Sequence, residues 1–394
     1  MKKISLTFFV LFVAAFFSPP VHSHADDRKV YVGLNAEASH PTSTSDDAIK
    51  QGMLIAIDEI NRAGGVLGGR KLALVEKDNR SVPARAVQNN REFAAMPDLV
   101  AVFGGKFSSA IIESLPLLHE LKLPMMTPWS ANDRVVNNGY NPNYAFRLSI
   151  TDTWAVETMM SYAGKKDYSK VGLMLGNNSW GRSNHEAIKK FVAAHPKIQI
   201  TSVQWYNYGE KSLVEKYDSI LKSGAKAVIL IAIETESSLL VKEVAQLPAK
   251  QRLPIISHAS ITGGDFPKMA GDSLARVNLV FPQTCIIQES GSDRLKPVMA
   301  EAQRLFGLKD PADIKSPMGF AHAYDLMHIL ALAINKAGST DRTAVHNALE
   351  EVTDYDGLVM HYKHPFTRTR HDALSIRNVI LVRYDASGVM RKIK

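Results

Sequence analysis

A chain of 394 residues carrying 47 Lys and Arg against 39 Asp and Glu, a formal charge of +8 and one cysteine excludes several classes of protein at once. A single cysteine cannot form an internal disulfide, so the core must be held by burial, which a chain of this length can do. The basic residues are scattered, with no stripe interleaved with aromatic side chains, so the charge points to solubility and some pull on anions rather than to nucleic-acid binding.

The first 25 residues read as an export signal. Lys2 and Lys3 give a positive start, Leu6–Phe17 is apolar but shorter than the ~20 residues a span needs, and Ser23-His24-Ala25 resembles a small-x-small cleavage site. The expectation is cleavage near Ala25 and a soluble exported mature protein; the alternative is an uncleaved anchor. No cysteine stands directly after the apolar run, so a lipid anchor is not indicated. Cys285 lies among Phe281, Ile286 and Ile287, as an inert packed thiol would.

Val30–Leu34 is a short strand, and a hydroxyl-rich loop containing Ser39, Thr42, Ser43, Thr44 and Ser45 follows. Ala48–Ala63 has Ile49, Met53, Ala56, Ile57 and Ile60 at helical spacing, with Asp46 and Asp47 where negative charge favours a helix start. Gly64-Gly65 stops the helix. Lys71–Asp78 is a strand and Pro83–Met96 a helix with proline in its first turn. Leu99–Phe103 is continuously apolar, as a strand buried on both faces should be. Gly104-Gly105 turns the chain, Ser108 and Ser109 open a helix that ends near Lys122, and Leu123–Met126 begins another strand closed by the polar turn Thr127–Asn132. The alternation implies a parallel sheet with helices on its faces, and such sheets bind ligands outside the carboxyl ends of their strands.

The pattern restarts after Arg147. Helices at Thr153–Gly164, Gly181–Ala194, Leu213–Ser223 and Glu236–Leu247 alternate with strands at Lys170–Leu175, Gln199–Trp205, Ala227–Ala232 and Pro254–Ser257. The tail has a strand at Val277–Phe281, helices at Asp293–Phe306, Gly319–Ala337 and Asp341–Val352, and a strand pair, Gly357–Tyr362 with Ile376–Tyr384, around a basic loop. So few strands cannot make a third domain, so the tail is expected to complete the two units already begun.

The stretches Gly52–Lys71, GGKFSSA and LPMMTPWSAN, with the Lys77-Asp78 strand end, resemble the type I periplasmic solute-binding proteins of ABC importers, in the branch typified by leucine/isoleucine/valine binding. DEINRAGGVLGGRKL is the most specific of these motifs, and the resemblance spans the mature chain. It implies an α/β fold of two doubly wound parallel-sheet lobes joined by three hinge crossovers, near Arg147–Ser149, Pro282–Thr284 and Asp356–Leu358. The implied division is a signal at 1–25, the first lobe at 26–147 and 283–356, and the second at 148–282 and 357–394. The lobes would close over a ligand like a clamp.

The resemblance further implies that Ser108 at a helix start, with Ser130 and Ala131 in the next strand's turn, grips a ligand carboxylate. A helix N-terminus suits an anion, although Ser108 and Ser109 can equally serve as caps. Thr127, Trp129 and Asn132 are neighbouring candidates. Trp180 matches a family aromatic that walls the ligand; packing on its own helix is the alternative. This chain departs where branched-chain binders place an aromatic (here Ile233) and a carboxylate for the ligand's ammonium (here Ala259 or a neighbour). Glu234 could supply that charge from the adjacent strand end, or could be a solvated helix-start residue. Ser39 and its hydroxyl-rich loop favour a polar ligand.

Catalytic motifs do not hold. Gly64–Gly69 lacks the Lys-Ser/Thr of a phosphate loop and follows a helix. His185-Glu186 lacks a second histidine, since Lys189 stands in its place. His361, His364 and His371 are irregularly spaced and read as a solvated loop. The expected role is therefore non-enzymatic and needs no cofactor: periplasmic capture of an amino acid or a related carboxylate or amide, presented to a membrane permease and its ATPase. A ligand-sensing module for a receptor is the second reading.

Overall fold

The computed structural model describes residues 29–39 and 44–393, so the expected signal segment lies outside it. The first unit consists of β1 (Val30–Ala36), α1 (Thr44–Arg62), β2 (Leu72–Asp78), α2 (Pro83–Ala94), β3 (Leu99–Gly104), α3 (Ser108–Glu120), β4 (Met125–Thr127) and β5 (Ala145–Arg147). Its five strands pair in parallel in the order β2-β1-β3-β4-β5. Every residue of β3 is buried, which accounts for its unbroken apolar sequence.

The second unit runs through α4 (Asp152–Lys165), β6 (Lys170–Gly176), α5 (Ser179–Ala194), β7 (Gln199–Tyr206), α6 (Val214–Lys222), β8 (Ala227–Ile231), α7 (Glu234–Gln246), β9 (Ile255–Ser257), α8 (Phe266–Ala270) and β10 (Leu279–Gln283). The tail supplies α9 (Leu295–Phe306), α10 (Pro317–Ala337), α11 (Arg342–Leu349), β11 (Tyr355–Asp356), β12 (His361–Tyr362), β13 (Ile380–Tyr384) and β14 (Met390–Lys392). The second sheet is ordered β14-β13-β10-β9-β8-β6-β7, parallel from β7 to β10 and antiparallel beyond. Strand order reverses between β1 and β3 and again between β6 and β8. Both reversals open crevices at carboxyl ends, where α/β sheets take ligands.

The chain returns to the first unit through α10, which lies along α1. Contact is closest at Gly52, where an added Cβ would stand 2.2 Å from the Phe320 carbonyl oxygen. Backbone cannot yield as a flexible side chain does, so Gly52→Ala is expected to destabilise the fold by about 1–3 kcal/mol, read as a lowered thermal midpoint.

Two expectations for the tail are corrected. Gly357–Tyr362 does not pair with Ile376–Tyr384. Instead Asp325 of α10 accepts the amides of Leu358 (2.6 Å) and Val359 (2.9 Å), holding that stretch as a tight turn between β11 and β12. β13 adds antiparallel to the open edge of β10, with Phe281 opposite Val382. His371 is also not part of a solvated loop, since it is 4% exposed. Cys285 is partly buried, and desolvation pushes its thiol up to about 12, leaving it protonated at neutral pH.

Candidate ligand cleft

The carboxyl ends of the two sheets face each other across a cavity of about 180 Å³. From the first unit come the start of α3 and the turn after β4. From the second come the start of α5, Tyr208 beyond β7, Ile233 and Glu234 after β8, and His258 and Ser260 after β9. Ser45 of α1 and Met318 of α10 complete the wall. The two units touch around it. The Thr44 hydroxyl donates to the Gly263 carbonyl (2.5 Å), the Asn132 amide to the Ser179 carbonyl (3.4 Å), and the Phe107 and Tyr208 rings meet edge-on at 6.3 Å.

Ser108 and Ser109 both line the cavity, and no side chain caps α3. The orphan amides of a helix start, with its positive dipole end, therefore lie at the cavity wall beside two hydroxyls, a setting suited to an anion. Trp129 and Ala131 line the cavity as well. Ser130 and Asn132 are buried but not among its lining residues. The Ser130 hydroxyl donates to the Gly105 carbonyl (3.0 Å) and ties the two turns together. The Asn132 side chain caps a short turn by accepting from the Arg134 amide (3.0 Å) while reaching across to Ser179. The Arg147 guanidinium, wholly buried, donates to the Asn132 carbonyl (2.8 Å) and pairs with Asp372 (2.6 Å), fixing this turn to the crossover. Ser39 lies apart from the cavity: it is exposed and donates to the Asp78 carboxylate.

Trp180 sits in the first turn of α5 rather than in a loop, because Asn178 caps the helix two residues earlier than its apolar pattern begins. Its indole N–H donates to Asp152 (2.9 Å), which fixes the ring against the cavity and edge-on to His258. His258 accepts the Ser260 amide at Nδ1 (3.2 Å), which leaves the proton on Nε2, 3.5 Å from Asp152.

Glu234 is the most constrained group. α7 begins at it, two residues earlier than expected, which draws its side chain to 1% exposure. Neither carboxylate oxygen has a hydrogen-bond partner among the described residues. Its nearest cation is the Lys106 ammonium, at 3.8 Å, which also stands 3.7 Å from Glu37. Asp46 joins the group by accepting the amides of Glu37 (2.9 Å) and Lys106 (2.7 Å). Burial raises the Glu234 carboxyl, with Lys106 opposing, and pushes Asp46 up to about 6. Two buried carboxyl groups, Glu234 and Asp46, thus lie around the Lys106 ammonium, which the partly buried Glu37 also approaches. Lys106, Tyr208 and His258 were missed in the sequence; each stands at the carboxyl end of a strand, a position that alone could have flagged it.

A match to the family model described as periplasmic binding protein covers residues 29–389, and the chain belongs to that family of solute-binding proteins, which are not enzymes. It is 23% identical over 359 residues to the leucine-, isoleucine-, valine-, threonine-, and alanine-binding protein of Pseudomonas aeruginosa, covering 89% of each chain. Among solved structures it resembles a leucine binding protein from Thermotoga maritima (TM-score 0.79, 18% identity, covering 93% of this chain and 98% of that one). It also resembles an ABC-transporter solute binding protein from Rhodopseudomonas palustris in complex with 3,4-dihydroxy benzoic acid (TM-score 0.77, 15% identity, 93% and 96% covered).

Proposed function

We propose that this chain captures an amino acid in the periplasm and delivers it, closed, to the permease and ATPase of an ABC importer. The observation that carries the reading is the buried Glu234 carboxyl at the cavity wall, with no hydrogen-bond partner on either oxygen among the described residues and the Lys106 ammonium 3.8 Å away as its nearest cation. A buried carboxylate needs an opposing charge, and a ligand ammonium would provide it. The ligand's carboxylate would lie on the amides and hydroxyls at Ser108 and Ser109. Trp129, Trp180, Ile233 and Met318 would enclose its apolar body. The amino-acid specificity named for the Pseudomonas relative supports this class of ligand. Only the closed form brings the two lobes into one relation, so a permease can recognise loading by shape.

A thermal-shift screen of ligand-stripped mature protein tests the proposal. At 100 times its dissociation constant a ligand adds about 2.7 kcal/mol, worth several degrees. At least one amino acid is expected to give such a shift. A panel of amino acids with no shift at millimolar concentration would overturn the reading. Loss of cellular uptake of that amino acid on deleting either this chain or the permease would support import; uptake unchanged in both would favour the sensing role.

A further inference from the structure

Remote from the cleft, three side chains from two parts of the tail converge on the edge of the first sheet. His346 and Glu350, one helical turn apart at the end of α11, meet His371 of the loop after β12. One donor atom from each lies within 4.8 Å of the others. His371 Nε2 is 3.1 Å and His346 Nε2 3.7 Å from the same Glu350 oxygen. Both rings are almost completely buried, whereas Glu350 is partly open.

With both rings neutral, the hydrogen bonding around the pair does not close. His371 Nδ1 faces the Ala145 carbonyl (3.0 Å), and its Nε2 faces Glu350. His346 Nδ1 faces the Asn347 side-chain oxygen (3.0 Å), and its Nε2 faces the Asn143 carbonyl (3.0 Å) and Glu350. Every ring nitrogen thus faces an oxygen, yet a neutral imidazole has one N–H to donate. If each ring donates from Nδ1, the outer partners Ala145 and Asn347 are satisfied, and two Nε2 lone pairs and a carboxylate oxygen point inward. Outer partners that fix the histidine tautomer in this way are the usual support of a metal ligand. Two imidazoles and a carboxylate are a donor set suited to zinc. A cavity of about 320 Å³ is lined by Asn143 and His371 on one side of the cluster, and Glu350 is itself partly open to solvent.

We propose that His346, Glu350 and His371 form a zinc-class divalent-metal site with a further position open to water or to the Asn143 carbonyl. The site would staple the loop bearing His371, and with it the Asp372–Arg147 pair at the first crossover, to α11. It is independent of the amino-acid reading.

Zinc titrated into untagged, chelator-treated mature protein is expected to bind one ion per chain at micromolar concentration or tighter and to raise the thermal midpoint. Glu350→Gln and His371→Asn should each weaken binding by more than about tenfold, the least that losing even a supporting partner costs. Their circular dichroism should match the parent; Glu350→Gln, at the partly exposed ligand, keeps the test valid if His371→Asn misfolds. Unchanged zinc affinity in Glu350→Gln would place the metal elsewhere, for example on exposed His361 and His364, and overturn the proposal. So would the absence of stoichiometric binding.

Discussion

Glu234→Gln is expected to weaken binding of the amino-acid ligand by roughly 30-fold or more, because removing one member of a buried hydrogen-bonded charge pair costs about 2–5 kcal/mol and each 1.4 kcal/mol is tenfold. The size follows from position. Glu234 is 1% exposed, and Lys106, its only near cation among the described residues, is shared with Glu37. Glutamine keeps the shape and loses the charge, so the loss measures the ammonium contact rather than packing. The same change should leave the empty protein as stable as the parent at neutral pH, or more so. The sign follows from burial, which raises the Glu234 carboxyl above its unfolded value. A raised carboxyl contributes stability that is complete below the ordinary carboxylate range and is lost as pH rises through the raised value. Glutamine carries no such loss. Affinity for an ammonium ligand should fall as pH drops through the raised value and Glu234 protonates. That slope should be shallower in the glutamine variant, where the neighbouring Asp46, pushed up to about 6, and Glu236, also raised by burial, still titrate. Titration calorimetry across pH 5–8 checks both; equal affinity in parent and variant would contradict the assignment.

Asp325→Ala should lower stability by about 3 kcal/mol, the largest single effect expected outside the cleft. Asp325 is fully buried and accepts from four donors: the amides of Leu358 and Val359 and the hydroxyls of Tyr355 (3.2 Å) and Tyr362 (2.9 Å). Leaving buried donors unmet costs about 1–3 kcal/mol each, and relief from burying a carboxylate offsets part of the sum. Burial pushes the Asp325 carboxyl up to about 6. Its contribution is therefore complete below the unfolded value near 3.8 and declines as pH rises through about 6. The alanine variant lacks that contribution, so its deficit should be larger at pH 4.5 than at pH 7.5. Denaturant melts at the two pH values read the difference; a deficit that grows toward pH 7.5 would mean that the ionised form is the one the turn favours.

Much of this architecture was legible because it rests on short-range patterns. Continuous apolar runs such as Leu99–Phe103 and Ala227–Ala232 had to be buried parallel strands, and glycine pairs had to be turns. Helix starts were harder. Asn178 caps α5 by accepting the Gly181 amide, and α7 opens on the buried Glu234, so both helices begin two residues before the positions that apolar periodicity marks. In the tail, the contacts that decide the pairing are long-range. The turn at Gly357 is held by Asp325, more than thirty residues earlier, and the edge that receives β13 belongs to β10. In the cleft, Ser108, Ser109, Trp129, Ala131, Trp180 and Glu234 are brought together at one cavity. Ser130 and Asn132 turn to positioning contacts, and Ser39 faces solvent beside Asp78. A hydroxyl in a strand-end turn can face either the ligand or the neighbouring turn, and sequence alone does not separate the two. Lys106 acts on Glu234, Glu37 and Asp46, which all lie more than fifty residues from it in sequence, so no local pattern marks it.

The central claim is that the cleft reads both ends of a zwitterion. Its most direct test is a pair of calorimetric titrations on the ligand-stripped mature chain, one with the amino acid that gives the largest thermal shift and one with the same acid lacking its amine. The account predicts tight one-to-one binding of the amino acid and at least roughly 30-fold weaker binding of the deaminated acid, with the gap narrowed in Glu234→Gln. Equal affinity for the two compounds in the parent protein would contradict it.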